Sequence, residues 1–229
     1  MCVSNGFLLI KSYLKSNIYG AKSLEKSISP PIEEQLKLIQ KLIQSAKFDE
    51  AINQSKHLLT QTFEQQNQIQ LWYLIAVAQR YAKTYQQALI SINQILKFDD
   101  RHSRAYQEQG YNHLALHQQT QAKTSFEKAV ELNPSLVASW QELIHLYRDS
   151  EQLEEVQKAA NQLAKLKKLP PALLAVTELM HEGKLLKAEQ ICRNFLQNTQ
   201  QNIEGMCLLA EIGIELKIYD DAEFLLASA

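Results

Sequence analysis

Glycine and proline are scarce in this chain, 6 and 5 among 229 residues. A β-rich protein of this length would need more turn formers. The residues that take their place, Ala, Leu, Gln, Glu and Lys, are helix formers. No apolar run reaches the roughly 18 residues that a membrane span requires, so no membrane association is expected. Neither sign of charge dominates, with 24 Lys plus Arg against 25 Asp plus Glu and a net charge of −1. A nucleic-acid binder needs a surplus of cations against the phosphate backbone, so nucleic acid is not an expected partner. The three cysteines, Cys2, Cys192 and Cys207, have no paired spacing. That suits a reducing compartment, and the expected location is cytoplasmic. The apolar patch Phe7–Ile10 has no basic residue before it and makes a poor secretory signal. Lys11, Lys15, Lys22 and Lys26 leave an organelle transit peptide as the alternative reading of the first 30 residues.

Chemical motifs are missing too. There is no Gly-rich phosphate loop, no HExxH pair and no CxxC, and no convergent catalytic constellation. The expectation is therefore no catalysis, no cofactor and no metal. His113 and His117 lie four apart on one helix, but no carboxylate or cysteine nearby completes a ligand set. Lys165, Lys167 and Lys168 sit at a helix end, where cations favour the helix dipole.

What the chain does have is internal repetition. A small residue recurs near the start of every second helix: Ala51, Ala88, Ala122, Val156, Ala188 and Ala222, at separations of 37, 34, 34, 32 and 34 residues. In five of these six copies an aromatic residue or Leu lies three positions earlier: Phe48, Tyr85, Leu153, Leu185 and Tyr219, with Gln119 the exception. Apolar residues follow a period near 3.6, as in Leu74, Ile75, Ala78 and Tyr81, and period-two alternation is absent. The prolines fall where helices start or stop: Pro30 and Pro31, Pro134, then Pro170 and Pro171. Gly183 falls where a helix ends. The spacing predicts helices over about 32–46 and 48–61, 69–82 and 85–97, 103–116 and 119–132, 137–149 and 153–166, 171–183 and 185–197, and 203–216 and 219–228. Each is marginal alone, so neighbours must supply the stability. Trp72 and Trp140 share one repeat position and are expected to be largely buried.

These features resemble the tetratricopeptide repeat family. The copy from Ser103 carries the likeness best, in Tyr106, Gly110, His113, Ala122, Phe126, Ala129 and Pro134. The resemblance implies an all-α, right-handed α-solenoid of antiparallel helix pairs. It would be a superhelix of about six repeats over residues 31–229, after an extension at 1–30. The repeats would cover about 32–65, 69–102, 103–136, 137–169, 170–202 and 203–229, the last looking truncated inside its second helix. It also implies a non-catalytic scaffold that holds a protein or peptide in a concave groove lined by the first helices. The candidates for that face are Tyr73, Arg80, Arg104, Gln107, Tyr111, Gln141, His145 and Arg148. Of the positions with which some relatives grip a C-terminal carboxylate, only Arg104 fits, so that mode is not expected.

Residues 169–229, through EGKLLKAEQICRNFL and LLAEIGIELKIYDDAEFLL, are similar to the repeat arm of bacterial proteins that join such repeats to a sulfotransferase domain. The resemblance implies, as the alternative function, the substrate-recruiting or dimerising arm of a longer sulfotransferase. No catalytic residue carries over. Phe224 and Leu226 add the expectation of self-association through the C-terminal end.

Overall fold

A computed structural model of the chain describes residues 31–62, 64–199 and 202–219. The expected extension at 1–30, and the chain from 220 onward with Ala222, Phe224, Leu225 and Leu226, lie outside the described residues. The described residues form eleven helices and no strand. They are α1 (Ile32–Gln44), α2 (Phe48–Leu59), α3 (Gln65–Tyr81), α4 (Tyr85–Phe98), α5 (Ser103–Ala115) and α6 (Gln119–Leu132). There follow α7 (Val137–Asp149), α8 (Leu153–Leu166), α9 (Pro171–His181), α10 (Leu185–Asn198) and α11 (Ile203–Glu215). By internal packing the chain divides into Met1–Leu38 and Ile39–Ala229. The first unit contributes only the start of α1 to the described residues, and the rest of the architecture belongs to the second. None of these helices is long and apolar enough to cross a membrane.

The largest departure from the expected helix spans is at α3, which begins at Gln65 rather than 69. Its first turn, Gln65-Gln66-Asn67-Gln68, is wholly polar and carries no apolar period. Side chains anchor it instead: Gln65 donates to the Phe98 carbonyl at 3.0 Å, Gln68 to the Thr62 carbonyl at 2.8 Å and Asn67 to Glu64 at 2.7 Å.

The turn inside each helical hairpin is the same device repeated. One residue adopts a left-handed conformation: Ala46 (φ 58), Lys83 (φ 62), His117 (φ 58), Glu151 (φ 56), Gly183 (φ 69) and Lys217 (φ 63). In every case its N–H bonds back three residues and the next N–H bonds back five, as in Gly183 to Met180 and Lys184 to Leu179, each at 2.9 Å. This is the Schellman motif, which satisfies carbonyls orphaned at a helix end. Its positions step along the chain by the same 37, 34, 34, 32 and 34 residues as the small anchors, so turn and anchor are two readings of one repeat. Only Gly183 has the residue that left-handed backbone favours.

Small residues set how closely the helices approach. Ala76, Ala88, Ala105, Ala122 and Ala188 are fully buried. Gly110 on α5 faces the Phe126 ring of α6 so closely that a Cβ would lie 2.7 Å from it. Phe126, itself fully buried, joins Val130, Leu143, Leu146 and Tyr147 in a core shared by α6, α7 and α8. A second core joins Ile69, Ala76, Ile92, Ile95 and Ala105 from α3, α4 and α5. Trp72 and Trp140 pack on the edges of these cores and are partly rather than fully buried. The reason at Trp140 is its polar edge, which donates to the Pro134 carbonyl at 2.9 Å and so stays near the loop.

Successive helices stack side by side from α2 to α8, the arrangement of an α-solenoid of helix pairs. The regularity breaks once. Among the described residues α8 and α9 do not pack along each other, although they are consecutive. The third core, Leu173, Val176, Ala188, Cys192, Leu209 and Ile212, belongs to α9, α10 and α11 alone. The connecting backbone differs from that of the other four-residue loops. Where stacking continues through a four-residue loop, the helix exits through an extended residue: Asp99 (φ −145, ψ 96), Asn133 (φ −141, ψ 93) and Thr199 (φ −137, ψ 62). At the break Lys167 stays helical (φ −68, ψ −16). Lys168 and Leu169 then wind on, bonded to the Lys165 and Leu166 carbonyls at 3.2 Å. Pro170 turns extended before Pro171, as a residue preceding proline must. Thr60 also exits helically (φ −73, ψ −17), ahead of a five-residue connection. Accordingly α8 buries only Ala159 and Leu166, whereas α6 buries five residues.

Candidate partner-binding face

Helices α3, α5, α7, α9 and α11 are the first members of their hairpins. Of these, α3 packs beside α5 and α9 beside α11. The eight residues singled out from the sequence fall into three groups on these helices.

Gln107 does not belong to an open surface. It is buried, and its side-chain amide donates to the Ser139 hydroxyl at 2.8 Å, which ties α5 to α7. A buried amide needs such a partner, and the small Ser139, fully buried on α7, leaves room for it.

Tyr73, Arg80, Arg104 and Tyr111 are brought together in one polar cluster. Arg80 on α3 holds Glu108 of α5 through Nε at 2.6 Å and Nη2 at 3.3 Å, with the Glu108 side chain 6% exposed. Its guanidinium also lies 4.4 Å from the Tyr81 ring and 5.0 Å from that of Tyr111, and a cation over an aromatic face is attracted by the ring quadrupole. Burial works to lower the Arg80 pKa, but the hydrogen bond and charge of Glu108 outweigh it and the guanidinium stays firmly charged. Tyr81 stacks on Phe48 at 5.9 Å, and Tyr111 meets Phe126 edge-on at 5.2 Å. Burial first, then the Glu108 charge, pushes the Tyr73 hydroxyl well above its ordinary range, and burial does the same at Tyr111.

Arg104, the second residue of α5, reaches two hairpins further along the chain. Its Nη2 bonds Glu178 Oε2 at 2.6 Å and its Nε bonds Glu182 Oε1, both carboxylates coming from the α9 segment. Lys184 bonds the other Glu182 oxygen at 2.6 Å. Burial alone would raise the Glu182 pKa, yet hydrogen bonds from Lys184 and Arg104 hold it below the ordinary carboxylate value. The buried Asn133 adds a bond from its side-chain amide to the Glu178 carbonyl at 3.4 Å. His102 caps α5, its Nδ1 accepting the Ala105 N–H at 3.1 Å, with its ring 5.8 Å from Tyr73.

Gln141, His145 and Arg148 are exposed. They share one face of α7, at spacings of four and three residues, opposite the buried Ser139, Leu143, Leu146 and Tyr147.

Glu108, Asn133, Glu178 and Glu182 were not legible as members of this cluster. Glu178 and Glu182 stand four apart, the helical spacing for a shared face, but nothing in the sequence pairs them with Arg104. Among the described residues no group of three or more His, Cys, Asp or Glu gathers as a metal site would require. His113 is partly buried and bonds Gln118 at 2.7 Å, while His117 is the exposed left-handed residue of its turn. Cys192 is buried with its Sγ 3.2 Å from the Gly205 carbonyl, and burial pushes its thiol up to about 11. Cys192 and Cys207 are free thiols. A cleft of about 300 Å³ lies between α9, α10 and α11, lined by Met180, His181, Leu185, Leu208, Glu211 and Glu215 among others.

The fold so defined is an α-solenoid of helix pairs with tetratricopeptide-type spacing. No protein-family model and no curated relative matches the chain. Among solved structures it is similar to a tetratricopeptide repeat protein from Parabacteroides merdae ATCC 43184, with 16% identity and a TM-score of 0.50 over 98% of this chain and 93% of that one. It is similar to Pseudomonas aeruginosa pilF, at 16% identity and a TM-score of 0.53 over 85% of this chain and 88% of the other. A thermophilic TPR protein from Thermus thermophilus matches at 15% identity and a TM-score of 0.50, covering 80% of this chain and all of that one. At these identities the likeness concerns the fold.

Proposed function

We propose that the chain is a non-catalytic scaffold that takes a protein or peptide on the face formed by the first helices of its repeats. The observation that carries this reading is the division of labour on that face. Arg80, Tyr81 and Tyr111 form a rigid cation–π cluster held by Glu108, while the neighbouring Gln141, His145 and Arg148 stand exposed on one side of α7. Aromatic and Arg side chains are the types enriched in binding hot spots, and a pre-organised cluster lowers the cost of ordering a ligand. The repeats at 32–65, 69–102, 103–136, 137–169, 170–202 and 203–229 are the proposed units, and the cytoplasm the proposed location.

The test is capture of partners from extract by the chain and by a variant in which Gln141, His145 and Arg148 are replaced by Ala. These residues are solvent-exposed, so the variant should keep its helicity while losing its partner. Undiminished capture of the same partner excludes this face. The alternative reading, an arm of a longer sulfotransferase, rests on the resemblance of residues 169–229. Sequencing the coding DNA on both sides of this segment tests it directly; self-association through the C-terminal end, read from Phe224 and Leu226, is a separate reading that sizing by light scattering tests.

A further inference from the structure

Two charges in the α5–α9 contact sit at the wrong ends of their own helices. Arg104 is the second residue of α5, where the positive end of the helix dipole disfavours a cation. Glu182 is the C-cap of α9, where the negative end disfavours an anion. Neither placement serves its own helix. Both serve the contact between hairpins two steps apart, where Arg104 holds Glu178 and Glu182 together. The contact lies across the break between α8 and α9, where Lys167 stays helical and Pro170 turns extended. Among the described residues the apolar cluster of α9, α10 and α11 is separate from that of α6, α7 and α8. The side chains in the ion pairs are 12–34% exposed, so solvent and salt reach them.

We infer that α9 is a built-in occupant of the binding face, its Glu178 and Glu182 standing in for two carboxylates of an acidic helical segment of a partner. On arrival, the partner's carboxylates take Arg104, and α9, α10 and α11 swing aside about the 167–170 connection. This rests on the reading of that face as the partner surface, and it specifies the partner's chemistry: a helix with two acidic residues four apart, matching the Glu178–Glu182 spacing. The intramolecular contact lowers apparent affinity by the fraction of molecules in which it is open.

The probe is a fluorescein-labelled, Ala-rich helical peptide carrying two Glu residues four positions apart, with its Gln,Gln counterpart as control. E178Q/E182Q keeps side-chain volume but removes both charges, and it leaves one accepting oxygen at position 182 where Glu182 uses two, for Arg104 and Lys184. The expected result is that it binds the Glu,Glu peptide about tenfold tighter than the unaltered chain does. R104Q should bind neither peptide. Small-angle scattering should show a larger radius of gyration for E178Q/E182Q, for R104Q and for the unaltered chain in about 1 M salt, where the Debye length falls to roughly 3 Å. Equal affinity of the unaltered chain and E178Q/E182Q overturns the inference. So does binding by R104Q, or superimposable scattering of the open and closed samples. The scattering arm needs no partner, so a failure of the contact to open is distinguishable from a failure of the α7 face to capture one.

Discussion

The stretch α3–α8 and the stretch α9–α11 are built from the same hairpin, the same left-handed turn and the same small anchor, yet they differ in how much of each helix is covered. In the first, α4 and α6 are each covered by their own partner and by the next hairpin, so α6 buries Ala122, Ser125, Phe126, Ala129 and Val130, whereas α8, at the break, buries Ala159 and Leu166. In the second, α10 buries Ala188 and Cys192. The lesson is that in a solenoid the sequence of a repeat does not by itself decide its burial; the connection after it decides whether a next hairpin covers its second helix, as at α8. Stability in such arrays is a sum of repeat and interface terms, and among the described residues α8 and α9 do not pack along each other at the break.

The comparison can be broken most directly at the core position four residues past the anchor, Phe126 in one stretch and Cys192 in the other, both fully buried. Phe126→Ala should cost about 3–5 kcal/mol, because it deletes the ring on which Gly110 closes. Cys192→Ala removes one sulfur and its weak bond to the Gly205 carbonyl and should cost about 1–2 kcal/mol. Urea unfolding midpoints measure both. Equal losses would show that the smaller Cys192 side chain is as important to its core as the Phe126 ring is to its own.

The helix boundaries were legible because period 3.6, the anchors and the prolines all mark them independently. From α4 through α11 the starts are those expected, and the departure at α3 lies in a turn with no apolar residue to reveal it. The turns were half legible. Gly183 announces its left-handed backbone, while Ala46, Lys83, His117, Glu151 and Lys217 hide theirs. The face residues were read from repeat positions. Gln141, His145 and Arg148 are exposed on one side of α7, while Ser139 takes Gln107 inward, a pairing that repeat position does not encode. The Arg104 contact was illegible for a different reason. It joins residues 74 and 78 positions apart through a connection whose path depends on the backbone state of Lys167, which local propensity does not determine.

A second comparison is between the caps of α5 and α11, His102 and Asn202. Each accepts the N–H of the residue three further on, at 3.1 Å for His102 and 2.7 Å for Asn202. Asn does this at any pH, and His only while Nδ1 is unprotonated. Burial lowers the His102 pKa below its ordinary 6.5, against the opposing pull of Asp99 and Glu182. The folded chain therefore binds this proton less readily than the unfolded chain. Stability from this site is complete above pH of about 6.5, falls as the pH drops through that value, and levels off below the lowered folded pKa. Thermal melts of the chain and of His102→Asn, run between about pH 7.5 and 5, should diverge as the pH falls, with the Asn variant losing less. Parallel curves would remove His102 as the source.

The smallest effect concerns the turns, where five of the six left-handed residues carry a Cβ. A non-glycine residue in that conformation costs about 1–2 kcal/mol, part of which glycine gives back through the greater freedom of its unfolded chain, about 0.5–1 kcal/mol. His117→Gly should therefore stabilise the chain by roughly 0.5–1 kcal/mol. Its exposed side chain has little to lose there, and the His113–Gln118 bond across the same turn is untouched. Gly183→Ala is the reverse experiment. A Cβ at Gly183 would meet nothing within 4 Å, so its expected cost of about 1 kcal/mol comes from the backbone alone. If His117→Gly and Gly183→Ala shift the urea midpoint in opposite directions, the turn is one device with an unoptimised residue at most of its copies. Shifts of the same sign would mean that the hairpins on the two sides of the break hold their turns by different means, since backbone preference alone cannot give that result.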